Sequence, residues 1–288
     1  MKQRLKWTFD ISHPSIEIFS ALTEPYRLEQ WFCEHADVSM TDGKYDFWGK
    51  YTPGNPSKSE GHHRILSYSE NKRLSYNADY AGSPLEITLA LNGLDAGTIL
   101  TTTIIGDLTV KSGYAWPGDI CLISVENLIQ WLEKGVVENR IDFSETHSRE
   151  FSLSMNINKP AKDVFDALVN PEKLNRYMGK NAVVERRPGG KYSYGWPAGG
   201  AISFKEYVEN EKLAFGWKYG DEPLTEVSWG LEETDGGTRL TLEHRGFPLD
   251  RELWDYVAGW WGIMLMINRL LHSGPDWRGP NYEPETIE

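Results

Sequence analysis

The chain carries an internal repeat, and a repeat dictates architecture before any single motif does. Pro14, Phe19, Ala21, Leu22, Pro25 and Leu28 recur without a gap as Pro160, Phe165, Ala167, Leu168, Pro171 and Leu174. Further along, Gly43-Lys44-Tyr45 recurs as Gly190-Lys191-Tyr192, Asn71 and Leu74 as Asn210 and Leu213, Tyr76 opposite Phe215, and Gly97-Thr98 with Leu100 as Gly237-Thr238 with Leu240. The order is kept and the offset drifts by only a few residues, as loop insertions would cause. The 288 residues therefore divide into two copies of one domain, a size that also suits two domains by length alone. The boundary falls in the polar stretch Gly135 to Ser148. We expect domains over 1–137 and 146–276, with a C-terminal tail over 277–288.

Each copy reads in the same order. Phe151, Leu153, Met155 and Ile157 alternate with polar residues, the period of a half-buried strand. Pro160 follows near a helix start, where a missing N–H is harmless. Val164, Phe165, Leu168 and Val169 give that helix one apolar face. Pro171 ends it, and a second short helix carries Leu174, Tyr177 and Met178. Short strands and turns come next. Pro188-Gly189-Gly190 and Asp235-Gly236-Gly237 are turn signals. Leu213-Phe215-Trp217-Tyr219, Val227-Trp229-Leu231 and Leu240-Leu242-His244 each share a strand face. A long helix closes each copy. In the first, Leu122, Val125, Ile129 and Leu132 form the stripe, with Asn127, Gln130 and Glu133 facing elsewhere. In the second, the helix runs from about Trp254 to His272. An antiparallel sheet with one apolar face needs a cover, and the long helix supplies it. The fold class is α+β: two tandem domains, each a curved antiparallel sheet wrapped on a long C-terminal helix, with two short helices after the first strand.

Three motifs carry a family resemblance. They are the Pro-x4-Phe-x-Ala-Leu-x2-Pro opening, the Arg-Pro-Gly-Gly-Lys-Tyr turn at 187–192, and the Gly-Gly-Thr-x-Leu-Thr-Leu-x-His-x-Gly-Phe strand at 236–247. Together they resemble the SRPBCC superfamily (START-like, helix-grip), in the branch similar to the C-terminal domain of the activator of the 90 kDa heat-shock protein ATPase. The first copy departs from the pattern. Its turn is Asp42-Gly43-Lys44, and Ile104 stands where the second copy has His244. The resemblance implies a helix-grip cavity and a chaperone-associated role. It does not assign a function, because one fold hosts many.

Charge and motif content narrow the function classes. Lys plus Arg number 30 against 42 Asp plus Glu, a net charge of −12, and no basic run exceeds Arg186-Arg187. Phosphate backbones reward clustered Lys and Arg, so no nucleic-acid partner is expected. The apolar stretch from Tyr256 to Asn268 is shorter than the roughly 20 residues a membrane crossing requires, so no membrane insertion is expected. Cys33 and Cys121 are too few for a disulfide framework and suit a reduced, cytoplasmic setting. The charged, alternating segment from Met1 to Ile11 lacks the apolar core of a signal peptide. None of the Gly-x-Ser-x-Gly, His-Glu-x-x-His, Walker or Gly-x-Gly-x-x-Gly signatures is present. His62 and His63 are strand neighbours that point to opposite faces and cannot share one ion. We expect no catalytic constellation, no metal and no cofactor.

What remains is aromatic: 12 Trp, 14 Tyr and 10 Phe. Such side chains serve cores and ligand pockets alike. Alternation turns Tyr194, Trp196, Phe215, Trp217, Trp229, His244 and, from the last helix, Trp261 inward in the second copy. In the first it offers Trp31, Phe32, Phe47, Trp48, Tyr76, Tyr80 and Trp116. These are the candidate ligand-lining residues, with the better cavity expected in the second domain because His244 can orient a polar group there. The last helix is apolar all round. It therefore meets two surfaces, which opens a contact with a chaperone or a second copy through Trp254 to Leu271. The residues favour a non-enzymatic binder of a small hydrophobic or aromatic molecule. Alternatives are a chaperone-associated stress protein and a cyclase- or hydrolase-type enzyme using His244, whose pKa is easily moved.

Overall fold

The computed structural model describes every residue except 55, 81, 110–113, 146, 250, 275, 281–282 and 288. The chain divides into two compact units, one of residues 1–146 with 280–288 and one of residues 147–279. Within the stretch 277–288, residues up to 279 belong to the second unit and the remainder to the first.

Unit one runs β1 (Gln3–Ile11), α1 (Ser15–Thr23), α2 (Pro25–Trp31), β2 (His35–Ser39), β3 (Lys44–Trp48), β4 (Arg64–Ser69), β5 (Arg73–Tyr80), β6 (Ser83–Leu94), β7 (Gly97–Gly106) and α3 (Pro117–Lys134). Unit two repeats the plan with β8 (Glu150–Ile157), α4 (Ala161–Val169), α5 (Pro171–Tyr177), β9 (Val183–Val184), β10 (Tyr192–Ser193), β11 (Gly199–Val208), β12 (Lys212–Tyr219), β13 (Thr225–Thr234), β14 (Gly237–Arg245) and α6 (Trp254–His272). A last short strand, β15 (Glu285–Thr286), belongs to unit one. The α+β class and the tandem helix-grip plan are those the periodicity predicts, and the closing helix of unit two has the expected limits.

The sheet of unit one is antiparallel in the order β15-β1-β7-β6-β5-β4-β3-β2. In unit two the order is β11-β12-β13-β14-β8, with β9 and β10 a separate ladder joined to β11 by the single bridge Lys191 to Ser203. Register shifts in β4 and in β11 bend both sheets at equivalent strands, the usual effect of a bulge.

The repeated residues prove to be fasteners. The Tyr45 hydroxyl donates to the Leu22 carbonyl at 2.7 Å, and Tyr192 donates to the Leu168 carbonyl at 2.7 Å. These carbonyls lie in the last turns of α1 and α4, where the helix offers them no N–H. Thr98 Oγ1 donates to the His13 carbonyl at 2.8 Å, and Thr238 Oγ1 to the Lys159 carbonyl at 2.7 Å. The preceding glycines, Gly97 and Gly237, are required by close approach: a Cβ on either would collide with the carbonyl of Ile11 or Ile157. Asn71 and Asn210 take positive φ, 57° and 64°, in the matching β4–β5 and β11–β12 turns, a conformation Asn tolerates better than most residues. Each fastener is a buried or half-buried hydrogen bond worth about 1 kcal/mol net. They fix how α1 and α4 lie on the sheets, and therefore where each sheet meets its long helix.

Candidate functional site

The cavity between sheet and helix lies in unit one. It measures about 120 Å³. For scale, an engineered apolar cavity of roughly 150 Å³ accepts benzene. The sheet contributes Phe47, Tyr76, Ala78, Tyr80, Leu89 and Ile104, and α1 and α2 contribute Leu22 and Trp31. Along α3, Pro117, Ile120, Cys121, Ser124, Asn127 and Leu128 recur three and four apart and form the roof.

The chain beyond α3 closes one side. Ile141 and Phe143 line the cavity, and the Phe143 N–H donates to the Lys50 carbonyl at 2.7 Å. Arg140 also lines it. Its Nη1 donates to the Glu29 carbonyl at 3.0 Å and its Nη2 to the Cys33 carbonyl at 2.8 Å, while its guanidinium stacks 3.7 Å from the centre of the Tyr51 ring. Glu29 is in the last turns of α2. Arg140 thus caps that helix with the charge its C-terminus favours.

Of the first-copy candidates, Trp31, Phe32, Phe47, Tyr76 and Tyr80 line the cavity. Trp48 and Trp116 are not among the lining residues. Trp48 follows Phe47 on the strand and so points to the other face, where it meets His35 and Lys58. Trp116 precedes α3 and donates from Nε1 to the Leu108 carbonyl at 2.9 Å. Asn127, assigned by periodicity to another side of the helix, is in the roof and only 8% exposed. The covered face of α3 is wider than its Leu122-Val125-Ile129 stripe.

In unit two the expected lining residues Tyr194, Phe215, Trp217, Trp229, His244 and Trp261 are buried, and Trp196 is half-buried. Their rings meet one another. Tyr194 lies 6.1 Å from Trp217 and 5.2 Å from Trp196 between ring centres, and Trp260 lies 4.9 Å from Trp217 and 5.7 Å from Trp229. The α6 residue that meets the sheet rings is Trp260, the neighbour of the expected Trp261. Every apolar side chain of α6 is buried or half-buried. Its apolar surface is thus covered or half-covered on all sides.

Strand register explains why the cavity is in the other unit from the one expected. Leu74 pairs Leu89 and Tyr76 pairs Ile87 in unit one, as Leu213 pairs Trp229 and Phe215 pairs Val227 in unit two. Ala78 and Leu89 thus occupy the places of Trp217 and Trp229. Ile104 pairs Ile87 where His244 pairs Val227. Two indoles fill the volume that an alanine and a leucine leave open.

His244 is fully buried and has a partner on each ring nitrogen. Trp260 Nε1 lies 3.0 Å from its Nδ1, and Thr225 Oγ1 lies 2.8 Å from its Nε2. An indole N–H can only donate, so Nδ1 accepts and the proton sits on Nε2, directed at Thr225. Thr225 in turn donates to the Trp217 carbonyl at 3.4 Å. Burial, and secondarily the charge of Arg251, pull the His244 pKa down to about 3. The ring is a neutral tie between β14, β13 and α6. An acid/base role would require a nitrogen free to meet substrate, and this arrangement offers none.

His62 and His63 lie in the segment just before β4, not on a strand, yet they do face different surroundings. His62 is exposed beside Asp46, 3.0 Å away, and His63 is buried against Phe47, with ring centres 4.1 Å apart and its pKa lowered to about 4 chiefly by burial. Both cysteines are free thiols, and burial raises Cys33 to about 12 and Cys121 to about 11, so neither forms a ready thiolate. Among the described residues no group of three or more His, Cys, Asp or Glu could hold a metal, and no helix is long and apolar enough to cross a membrane.

A curved antiparallel sheet closed on a long helix, twice in one chain, defines a tandem helix-grip protein. The chain belongs to the family described as Activator of Hsp90 ATPase homolog 1-like protein, whose model matches residues 12–114 and 158–270, one segment in each unit. Among solved structures, DynU16, a protein of the dynemicin biosynthetic locus, is 16% identical, with 93% of this chain and 97% of that one covered at a TM-score of 0.38. CalU16 from Micromonospora echinospora is 21% identical over 43% of this chain and 77% of its own, at 0.38. An HSP90 activator from Plasmodium falciparum is 24% identical over 36% of this chain and 76% of its own, at 0.32. With TM-scores this low, family membership rests on the family match. No curated protein matches the chain.

Proposed function

We propose that the protein binds a small, largely apolar aromatic molecule in the unit-one cavity, without transforming it. The observation that carries this reading is the cavity itself: about 120 Å³ in an otherwise close-packed core, walled by Trp31, Phe47, Tyr76 and Leu89. Protein interiors hold few voids of that size, because each forfeits packing energy on all its walls. A bound arene restores those contacts. Isothermal titration of the full chain with single-ring arenes such as toluene and styrene tests the reading. Saturable one-to-one binding is expected, and Ala78→Trp, which puts an indole where unit two already has one, removes it. Titrations without heat for every arene, or equal binding by Ala78→Trp, reject the reading.

The family supports a second reading, in which the protein assists the ATPase of a 90 kDa chaperone. Stimulation of that ATPase by the purified full chain tests it, and an unchanged ATPase rate with no co-purification removes it.

A further inference from the structure

The cavity is apolar but not uniformly so, and its polar groups differ in whether they are already occupied. The Tyr45 hydroxyl donates to Leu22, Tyr80 donates to the Ala115 carbonyl at 2.7 Å, and Ser124 donates to the Ile120 carbonyl at 2.7 Å. The Arg140 Nη1 and Nη2 are held by the two carbonyls described above and its guanidinium stacks on Tyr51, while its enclosed Nε has no hydrogen-bond partner among the described residues. Asp79 Oδ1 accepts the Gly82 N–H at 2.9 Å. Two groups stand apart. Tyr76 and Asn127 both line the cavity, are 6% and 8% exposed as residues, and their hydroxyl and carboxamide have no hydrogen bond among the described residues. Neither group is among the fully enclosed polar atoms that lack a partner, so both keep accessible surface. Two such groups on the walls of one cavity, from the sheet and from the helix, mark where a ligand's polar atom belongs.

The chemistry of the two groups selects the ligand. Burial pushes the Tyr76 phenol far above its ordinary pKa, so it stays protonated and can donate. The Asn127 carboxamide has two N–H donors. A carbonyl oxygen, with two lone pairs, can accept from both. An anion fits poorly. The Asp79 carboxylate is in the wall, both Nη atoms of Arg140 are engaged on carbonyls, and a desolvated carboxylate without a dedicated counter-ion is expensive to bury. The volume limits the ligand to a single ring.

Resting on the ligand-binding reading above, we infer that the site takes a neutral, single-ring aromatic carbonyl compound, its oxygen held by Tyr76 from the sheet and Asn127 from the roof. Benzaldehyde and styrene make a matched pair of probes, since one carries C=O where the other carries C=CH2. In titrations of the full chain, benzaldehyde should bind about tenfold more tightly than styrene, the equivalent of one or two neutral hydrogen bonds. Tyr76→Phe and Asn127→Leu should each narrow that ratio. Tyr76→Phe removes only an oxygen and keeps the wall intact, so it remains informative even where Asn127→Leu disturbs folding. Equal affinity of the two probes, a ratio that survives Tyr76→Phe, or tighter binding of benzoate than of benzaldehyde would overturn the carbonyl assignment with the cavity reading intact. Failure of styrene and benzaldehyde alike to bind would remove both.

Discussion

Units one and two share a plan and most of their fasteners, yet they handle the space under the long helix in opposite ways. Unit two places Trp217, Trp229 and His244 on the inward sheet face and adds Trp260 from α6, so rings and a neutral imidazole close the interior. Unit one has Ala78, Leu89 and Ile104 at the equivalent positions and keeps a void, with Tyr76 and Asn127 on its walls. The lesson concerns side-chain volume. A fold of this kind is not intrinsically hollow: exchanging two indoles for smaller side chains at matched strand positions separates a filled core from a site.

The largest test of that contrast is to rewrite unit two toward unit one. Trp217→Ala should cost about 3–5 kcal/mol of unit-two stability, the range for emptying a Trp-sized space in a core. It should also create arene binding there. The measurement is urea unfolding together with arene titration of the double variant Trp217→Ala/Ala78→Trp, in which any binding must come from unit two. A loss below about 1 kcal/mol would mean that the interior collapses around the deletion, and the contrast would then owe little to these indoles.

Acid separates the units more gently. The buried histidines, His244 in unit two and His63 in unit one, are neutral when folded, with pKa values lowered to about 3 and about 4. In the unfolded chain each takes a proton near pH 6.5. Below that pH the unfolded state binds more protons, so stability falls as pH falls, by about 1.4 kcal/mol per pH unit for each histidine. For His63 the decline ends near pH 4; for His244 it continues to about pH 3. Unfolding of the wild type, His244→Gln and His63→Gln from pH 7 to 3 checks this, because carboxylate titration is common to all three. Identical slopes in wild type and His244→Gln would show that the Trp260–His244–Thr225 tie does not keep the imidazole neutral.

The smallest expected effect is one on which the units should agree. Tyr45→Phe and Tyr192→Phe each remove one hydroxyl-to-carbonyl bond of 2.7 Å. Each should cost about 1 kcal/mol. Unequal costs in thermal or urea unfolding would show that the matched fasteners are not equivalent, and the alignment of the two interiors would need revision.

The fold was readable because the repeated residues are those with little freedom to change. Gly97 and Gly237 admit no Cβ, Asn71 and Asn210 hold positive φ, and Tyr45 and Tyr192 reach for helix-end carbonyls. Such constraints leave the same letters in both copies. The site was harder to read, because aromatic residues mark both a wall and a filling. Alternation turned Trp217 and Trp229 inward correctly, but it carries no measure of whether space remains between rings. The informative residue was the small one, Ala78, aligned with Trp217 through Tyr76 and Phe215. Asn127 was missed because a helical stripe counts apolar residues and skips a carboxamide within the covered face. Arg140 and Phe143 were missed because they belong to the polar stretch read as a boundary.

The pairing of β15 with β1, Gln3 to Thr286 and Arg4 to Glu285, gives the molecule an unusual order of completion. Synthesis makes β1 before the rest of unit one's sheet, but the short strand that pairs with Gln3 and Arg4 emerges only after every element of unit two. Until then the Gln3–Arg4 end of β1 has unpaired backbone groups on its outer side, the kind of edge that invites pairing with another nascent chain. The earlier of the two units is thus the later to be finished.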